Sequence, residues 1–93
     1  MPISESTLKE ARRLLTLLPS SIPVPYIAPA PTGALTLEWR RRDTQAFVLS
    51  IKGEKTINFM VLDVEGNRYG VGKFTSTIPD AIGRELQSFF ENI

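Results

Sequence analysis

Five prolines between residues 19 and 31 constrain this 93-residue chain more than any other feature of its sequence. A proline has no backbone N–H, fixes its own φ and pushes the preceding residue towards extended geometry. A helix cannot run through residues 19–33, so this segment is predicted to form a polyproline-like strap. Because the strap also carries Ile22, Val24, Tyr26 and Ile27, we expect it to lie against the body of the protein.

A helix is predicted before the strap, over residues 5–18, because its apolar residues recur at three- and four-residue spacing. Ser4 or Ser6 can cap its N-terminus, and Thr7 with Glu10 also fits the Ser/Thr-x-x-Glu capping-box pattern. Pro19 ends the helix. The residues expected to face the core are Leu8, Ala11, Leu15 and Leu18.

The remainder of the chain is predicted to be a β-meander followed by a second helix. Residues 34–74 contain stretches of alternating apolar and polar residues separated by turn-forming residues, which indicates four antiparallel strands. Residues 79–91 have helical spacing and Pro79 in the first turn. The predicted fold class is therefore α+β, as one domain over residues 1–93: a two-layer sandwich of a four-stranded antiparallel meander with an N-terminal and a C-terminal helix, in the order α-β-β-β-β-α.

The composition argues against catalysis. The chain has no His and no Cys, which removes the commonest general base, the commonest transition-metal ligand and all thiolate chemistry. No nucleophile or cofactor motif occurs either. We therefore expect a protein that is not an enzyme, with no catalytic residues, no cofactor and no metal site.

Net charge and hydropathy limit the classes of partner that are expected for this chain. The formal net charge is +1, whereas dedicated nucleic-acid-binding domains usually carry a clear basic excess. No apolar run approaches the length of about 20 residues that a membrane span needs. Charged residues such as Lys9 and Arg12 interrupt the N-terminal segment, unlike a signal peptide. A cytoplasmic location without membrane contact is the expectation.

One part of the sequence resembles a pattern in small, uncharacterised bacterial and phage-borne proteins. The pattern consists of spaced prolines, a Gly, a strand that ends in Leu-Glu-Trp, and a second strand of the type Leu-x-Ile. The resemblance implies no enzymatic activity and no defined ligand, and it hints at toxin neutralisation or the blocking of a host defence complex. Relatives often have Asp-Gly at positions 32–33, and many have a longer N-terminal region. The matching residues here are Pro23-Val24-Pro25, Pro29-Ala30-Pro31-Thr32-Gly33, Leu35-Thr36-Leu37-Glu38-Trp39 and Val48-Leu49-Ser50-Ile51.

The arginine run Arg40-Arg41-Arg42 beside Trp39 is one candidate binding site. It could contact phosphate groups or an acidic partner, with the indole available for base stacking. Alternatively, it is a solvated hairpin end whose Trp39 faces the core. Strand alternation sends Arg40 and Trp39 to opposite faces, which argues against a joint stacking site. Glu38 either pairs with a cross-strand Arg or Lys or faces a partner.

The second face of the predicted sheet is the other candidate. Alternation places several apolar residues on the side opposite the expected core, where an antiparallel sheet is normally polar. Such a contiguous apolar surface is either covered by the strap or a helix, or buried by another chain. The residues concerned are Ala46, Val48, Met60, Leu62 and Val64.

These features together predict a small, non-catalytic protein-binding module. Its partner is expected to be a larger protein, such as an enzyme, toxin or defence complex, or a second copy of the chain. The concrete form of this hypothesis is a stoichiometric inhibitor of the antitoxin or anti-defence type. The alternative is an accessory nucleic-acid-binding protein that uses the arginine turn. The predicted partner-binding residues are Glu38, Arg40, Arg41, Arg42, Val48, Met60 and Leu62.

Overall fold

The computed structural model describes residues 3–41, 44–63, 66–74 and 77–91. Within these residues the chain forms one antiparallel sheet with the strand order β1-β2-β3-β4-β5. Two helices, one before and one after the strands, pack on the same side of this sheet and share one hydrophobic core. The elements are α1 (Glu5–Leu17), β1 (Tyr26–Pro29), β2 (Leu35–Arg41), β3 (Gln45–Ile51), β4 (Thr56–Asp63), β5 (Gly66–Lys73) and α2 (Asp80–Glu91).

The predicted α+β class and the two flanking helices are confirmed, but the sheet has five strands rather than four. The additional strand is β1, which lies inside the segment predicted to be an irregular strap. Ala30 N–H donates to Ala34 O at 2.8 Å and continues the antiparallel register of β1 and β2. Backbone groups alternate in direction along an antiparallel strand, so the N–H groups of Tyr26 and Ala28 face β2. Pro29 faces away, where a missing N–H breaks no ladder bond.

The strap contacts the protein as predicted, but through Ile22 and the Pro23 carbonyl, whereas Val24, Tyr26 and Ile27 are exposed. Ile22 packs on the core, and Trp39 Nε1 donates to Pro23 O at 2.7 Å. Trp39 itself is buried and makes edge-to-face contacts with Phe47 and Phe90. This single indole therefore connects the strap, the sheet and α2.

Helix α1 begins at the N-cap Ser4, whose hydroxyl accepts a hydrogen bond from Thr7 N at 3.2 Å. The predicted Thr7–Glu10 capping box was wrong: Glu10 Oε2 instead accepts from Lys55 N at 3.0 Å and joins α1 to the β3–β4 connection. The predicted apolar stripe was also displaced by one position at its start. Thr7 is buried and Leu8 is exposed, because the helix rests on the sheet through the Thr7 side, followed by Ala11 and Leu14.

Close packing accounts for the glycines of β5. The side chain of Phe59 on β4 lies over Gly70, so a Cβ at this position would overlap the ring. A Cβ at Gly72 would lie 2.7 Å from Pro79 Cβ, where α2 approaches the sheet. This strand lies at the edge of the sheet. Its glycines let an aromatic ring and the start of α2 rest directly on the backbone.

Candidate protein-binding face

The side of the sheet opposite the helices, which we call the open face, carries Val48, Met60 and Leu62, as sequence alternation predicted. Ala46 also lies on this face but is buried, and Val64 lies outside the described residues. Strand register aligns one residue from each of the five strands in a row, which we call the central stripe. Neighbouring rows add Leu62 beside Ala46 on one side and Val71 beside Asn58 on the other. The central stripe consists of Tyr26, Glu38, Val48, Met60 and Tyr69.

None of the described helices or loops covers this stripe. Both helices contribute side chains to the core on the other side, and the strap is bonded there through Trp39. At the two ends of the stripe, Tyr26 is 73% and Tyr69 is 68% exposed. Val48 and Met60 at its centre are half-buried by their neighbours in the sheet. Of the two alternatives for this face, internal coverage by the strap or a helix is not found among the described residues.

Glu38 and Arg40 form an ion pair on the open face, with Arg40 Nε directed at Glu38 Oε2. The residues directly opposite Glu38 on the neighbouring strands are Tyr26 and Val48, so no Arg or Lys faces it across the described strands. The carboxylate therefore pairs along its own strand, two residues away. This pair sets a polar group beside the apolar centre of the stripe.

The structure places Arg40 and Arg41 on opposite faces of β2. Arg41 points to the helix side, where its Nη1 donates to Phe89 O at 2.7 Å in the last turn of α2. Carbonyls in the last turn of a helix lack intrahelical partners, so this contact ties the end of α2 to β2. Arg40 lies on the opposite face, and Arg42 lies outside the described residues. Trp39 is buried, which agrees with the alternative in which this residue faces the core. Its indole is therefore not available for base stacking.

A groove of about 620 Å³ lies between the C-terminal end of α1 and α2, on the helix side. Among the described residues, its lining is mostly apolar, with Ser21 and Gln87 as the polar exceptions, and includes no charged side chain. Among the described residues, no group of three or more Asp or Glu side chains is arranged to hold a metal ion.

Comparisons with protein-family models, with curated proteins and with solved structures found no match to this chain. Across the described ranges, neither helix is sufficiently long and apolar to cross a membrane.

Three exposed residues of the open face were missed by the sequence analysis: Tyr26, Tyr69 and Val71. Alternation within β5 could have placed Tyr69 and Val71 on one face. Their alignment with Met60 and Asn58 depends on strand register, which a single sequence does not give. Tyr26 was assigned to the strap, because five closely spaced prolines argue against a strand.

Proposed function

We propose that this chain is a non-catalytic module that binds another protein through the open face of its sheet. The observation that carries the proposal is the uncovered central stripe, with Val48 and Met60 at its centre and a tyrosine at each end. Exposed contiguous apolar surface on a small protein is typical of an interaction site. Tyrosine and methionine are enriched at protein interfaces and supply contact area there.

The size of the face supports the same function. Strands lie about 4.8 Å apart and rise about 3.4 Å per residue, so five strands of about seven residues present roughly 20 by 23 Å. Contact over this area removes on the order of 1,000 Å² from solvent when both partners are counted, the lower limit for a specific interface. The Glu38–Arg40 pair provides polar groups beside the apolar centre, an arrangement common at the rims of interfaces.

The narrower form of the proposal is a stoichiometric inhibitor of a toxin, enzyme or defence complex. Support for it comes from the resemblance to phage-borne and bacterial proteins and from the absence of His and Cys. A protein without imidazole or thiol groups can still act by occupying the surface of a larger protein. This form predicts a one-to-one complex rather than turnover of a substrate.

Affinity capture of the partner protein at physiological salt tests this proposal. The capture compares three forms of the protein: wild type, Met60→Arg and the control Leu8→Arg. Met60 lies at the centre of the open face, whereas Leu8 is exposed on α1. We expect wild type and Leu8→Arg to retain the same larger protein at one-to-one stoichiometry, and Met60→Arg to lose it. Circular dichroism checks that all three forms are folded.

Two results would contradict the proposal. One is capture of an unchanged set of proteins by Met60→Arg. The other is recovery of nothing except the protein itself by wild type. If capture instead depends on nucleic acid and falls steeply with salt, the accessory nucleic-acid-binding alternative is favoured.

A further inference from the structure

The two edges of the sheet differ in their capacity to accept another strand. Backbone groups alternate in direction along β1, and the Ala30–Ala34 bond shows which residues face β2. The backbones of Ile27 and Pro29 therefore face outwards, away from β2. Pro25 directly precedes the strand, and Pro31 lies in the turn that follows it. A proline has no N–H to donate, so Ile27 is the only residue of β1 with an outward donor. Prolines at such positions block edge-to-edge pairing.

The β5 edge, in contrast, has outward backbone groups that can pair with another strand. Phe74 N–H donates to Lys55 O at 2.8 Å, which extends the β4–β5 register beyond Lys73. Even-numbered residues of β5 therefore direct their backbone groups to β4, and odd-numbered residues direct theirs away from it. No proline interrupts the eight residues of β5, and no described strand pairs with its outer side. The residues with outward backbone groups are Asn67, Tyr69, Val71 and Lys73.

We propose that β5 pairs antiparallel with β5 of a second copy about a twofold axis at Gly70. In this register Tyr69 lies opposite Val71 of the second copy, and Asn67 lies opposite Lys73. All the outward-facing residues of β5 then find hydrogen-bonding partners. A register shifted by one residue towards the N-terminus, centred on Tyr69, would leave Lys73 without a partner in β5.

The side chains of β5 fit this register. Each Tyr69 faces a Val71, an aromatic and a β-branched residue that pair favourably across strands. These two side chains are 68% and 64% exposed in the single chain. Arg68 lies opposite Gly72 and Lys73 opposite Asn67, so no two cations are directly opposed. The occupant of this edge is therefore a second copy of the same strand.

Tyr69 and Val71 belong to both surfaces, but the dimer does not rest on the proposed function: strand pairing uses the outward backbone groups of β5, whereas the proposed partner contact is centred on Val48 and Met60. Pairing at β5 would place the two open faces side by side on one continuous sheet. The apolar centres at Val48 and Met60 would stay exposed for a partner protein.

The first test measures mass by sedimentation equilibrium from micromolar to millimolar protein. Wild type is expected to change from monomer to dimer with concentration. Val71→Pro removes an outward donor without removing a bond to β4, and is expected to raise the dimer dissociation constant about tenfold or more. The matched control Val71→Thr keeps the N–H and the β-branch, and should dimerise like wild type.

A second pair of variants tests the register without a proline. Asn67→Lys sets two cations opposite each other at each end of the paired strands and is expected to weaken the dimer. The double variant Asn67→Lys with Lys73→Glu restores opposite charges across the axis and is expected to recover it. Amide exchange gives a direct readout: the Tyr69 and Val71 amides should become protected in the dimer, whereas the Gly70 amide should not change.

A chain that remains monomeric at every concentration would overturn the inference. A dimer that tolerates both Val71→Pro and Asn67→Lys, or one that Met60→Arg alone disrupts, would do the same. Loss of a captured partner with Met60→Arg tests the proposed function separately, since Met60 is not on the edge.

Discussion

Gly70 and Gly83 each lie inside a regular element, in β5 and α2 respectively, but the atoms around them differ. A Cβ on Gly70 would overlap the ring of Phe59, whereas a Cβ on Gly83 in α2 would meet no atom within 4 Å. The first glycine is therefore required by packing. The second carries only the helix penalty of glycine, because it lies beside the open groove.

This difference predicts opposite effects of the same substitution. Gly70→Ala is expected to lower the free energy of unfolding by about 1–3 kcal/mol through overpacking. Gly83→Ala is expected to raise it by about 1 kcal/mol. Urea denaturation at low protein concentration measures both. Equal effects from the two variants would show that the Phe59 contact does not constrain the strand.

Trp39 is the second residue with a specific role, since its Nε1 holds the carbonyl of Pro23. Trp39→Phe keeps an aromatic ring but loses this bond, and is expected to lower the free energy of unfolding by about 1–3 kcal/mol. Denaturation followed by circular dichroism measures the change. Tyr26→Phe is the control, because Tyr26 is largely exposed on the open face and should unfold like wild type.

At the scale of elements, β1 shows how a proline-rich segment can belong to a sheet. Pro29 is the proline within β1, and its backbone faces outwards, so it leaves the ladder to β2 intact and removes a donor from the outer edge. The β1–β2 connection also depends on local chemistry. Gly33, at a φ of 90°, donates its N–H to Ala30 O at 3.0 Å and closes a turn over residues 30–33, in which Pro31 is the second residue.

Pro29→Val tests whether this proline protects the β1 edge from pairing with other strands. The substitution creates an outward N–H on β1 and should increase self-association, measured by light scattering at high protein concentration. Ala28→Val is the matched control, because the backbone of Ala28 already faces β2. Equal scattering from Pro29→Val and wild type would indicate that this proline does not protect the edge.

At the scale of the whole molecule, α1, β2, β3, β4 and α2 all contribute to one core. Leu14 of α1, Leu37 of β2 and Ile82 of α2 are fully buried in the same cluster. Arg68 of β5 reaches Glu85 of α2 at 3.0 Å and adds a contact at the sheet edge. Since no element has a core of its own, the structure should unfold as one cooperative unit.

The corresponding measurement compares two probes. Trp39 fluorescence reports the junction of strap, sheet and α2, and far-ultraviolet circular dichroism reports all secondary structure. We expect the two urea transitions to coincide, with one midpoint and one slope. Separate midpoints would indicate that the strap or α2 detaches before the sheet unfolds.

Local patterns in the sequence determined much of this fold. Helical spacing and capping residues placed α1 and α2 to within one residue, and alternation assigned the faces of β2, β3 and β4. These signals are local because a side chain's direction depends on the backbone geometry of its own element. They were sufficient to place Val48, Met60 and Leu62 on the face opposite the core.

The tertiary structure alone decided how the elements combine. It recruited Tyr26–Pro29 as a strand, aligned Tyr26 and Tyr69 with the central stripe, and brought the Arg41 guanidinium to the Phe89 carbonyl of α2. It also left the open face and the β5 edge uncovered within the described residues. Register, coverage and edge position depend on contacts between residues far apart in the chain. No local periodicity encodes such contacts, because their free energy exists only once the strands and helices have met.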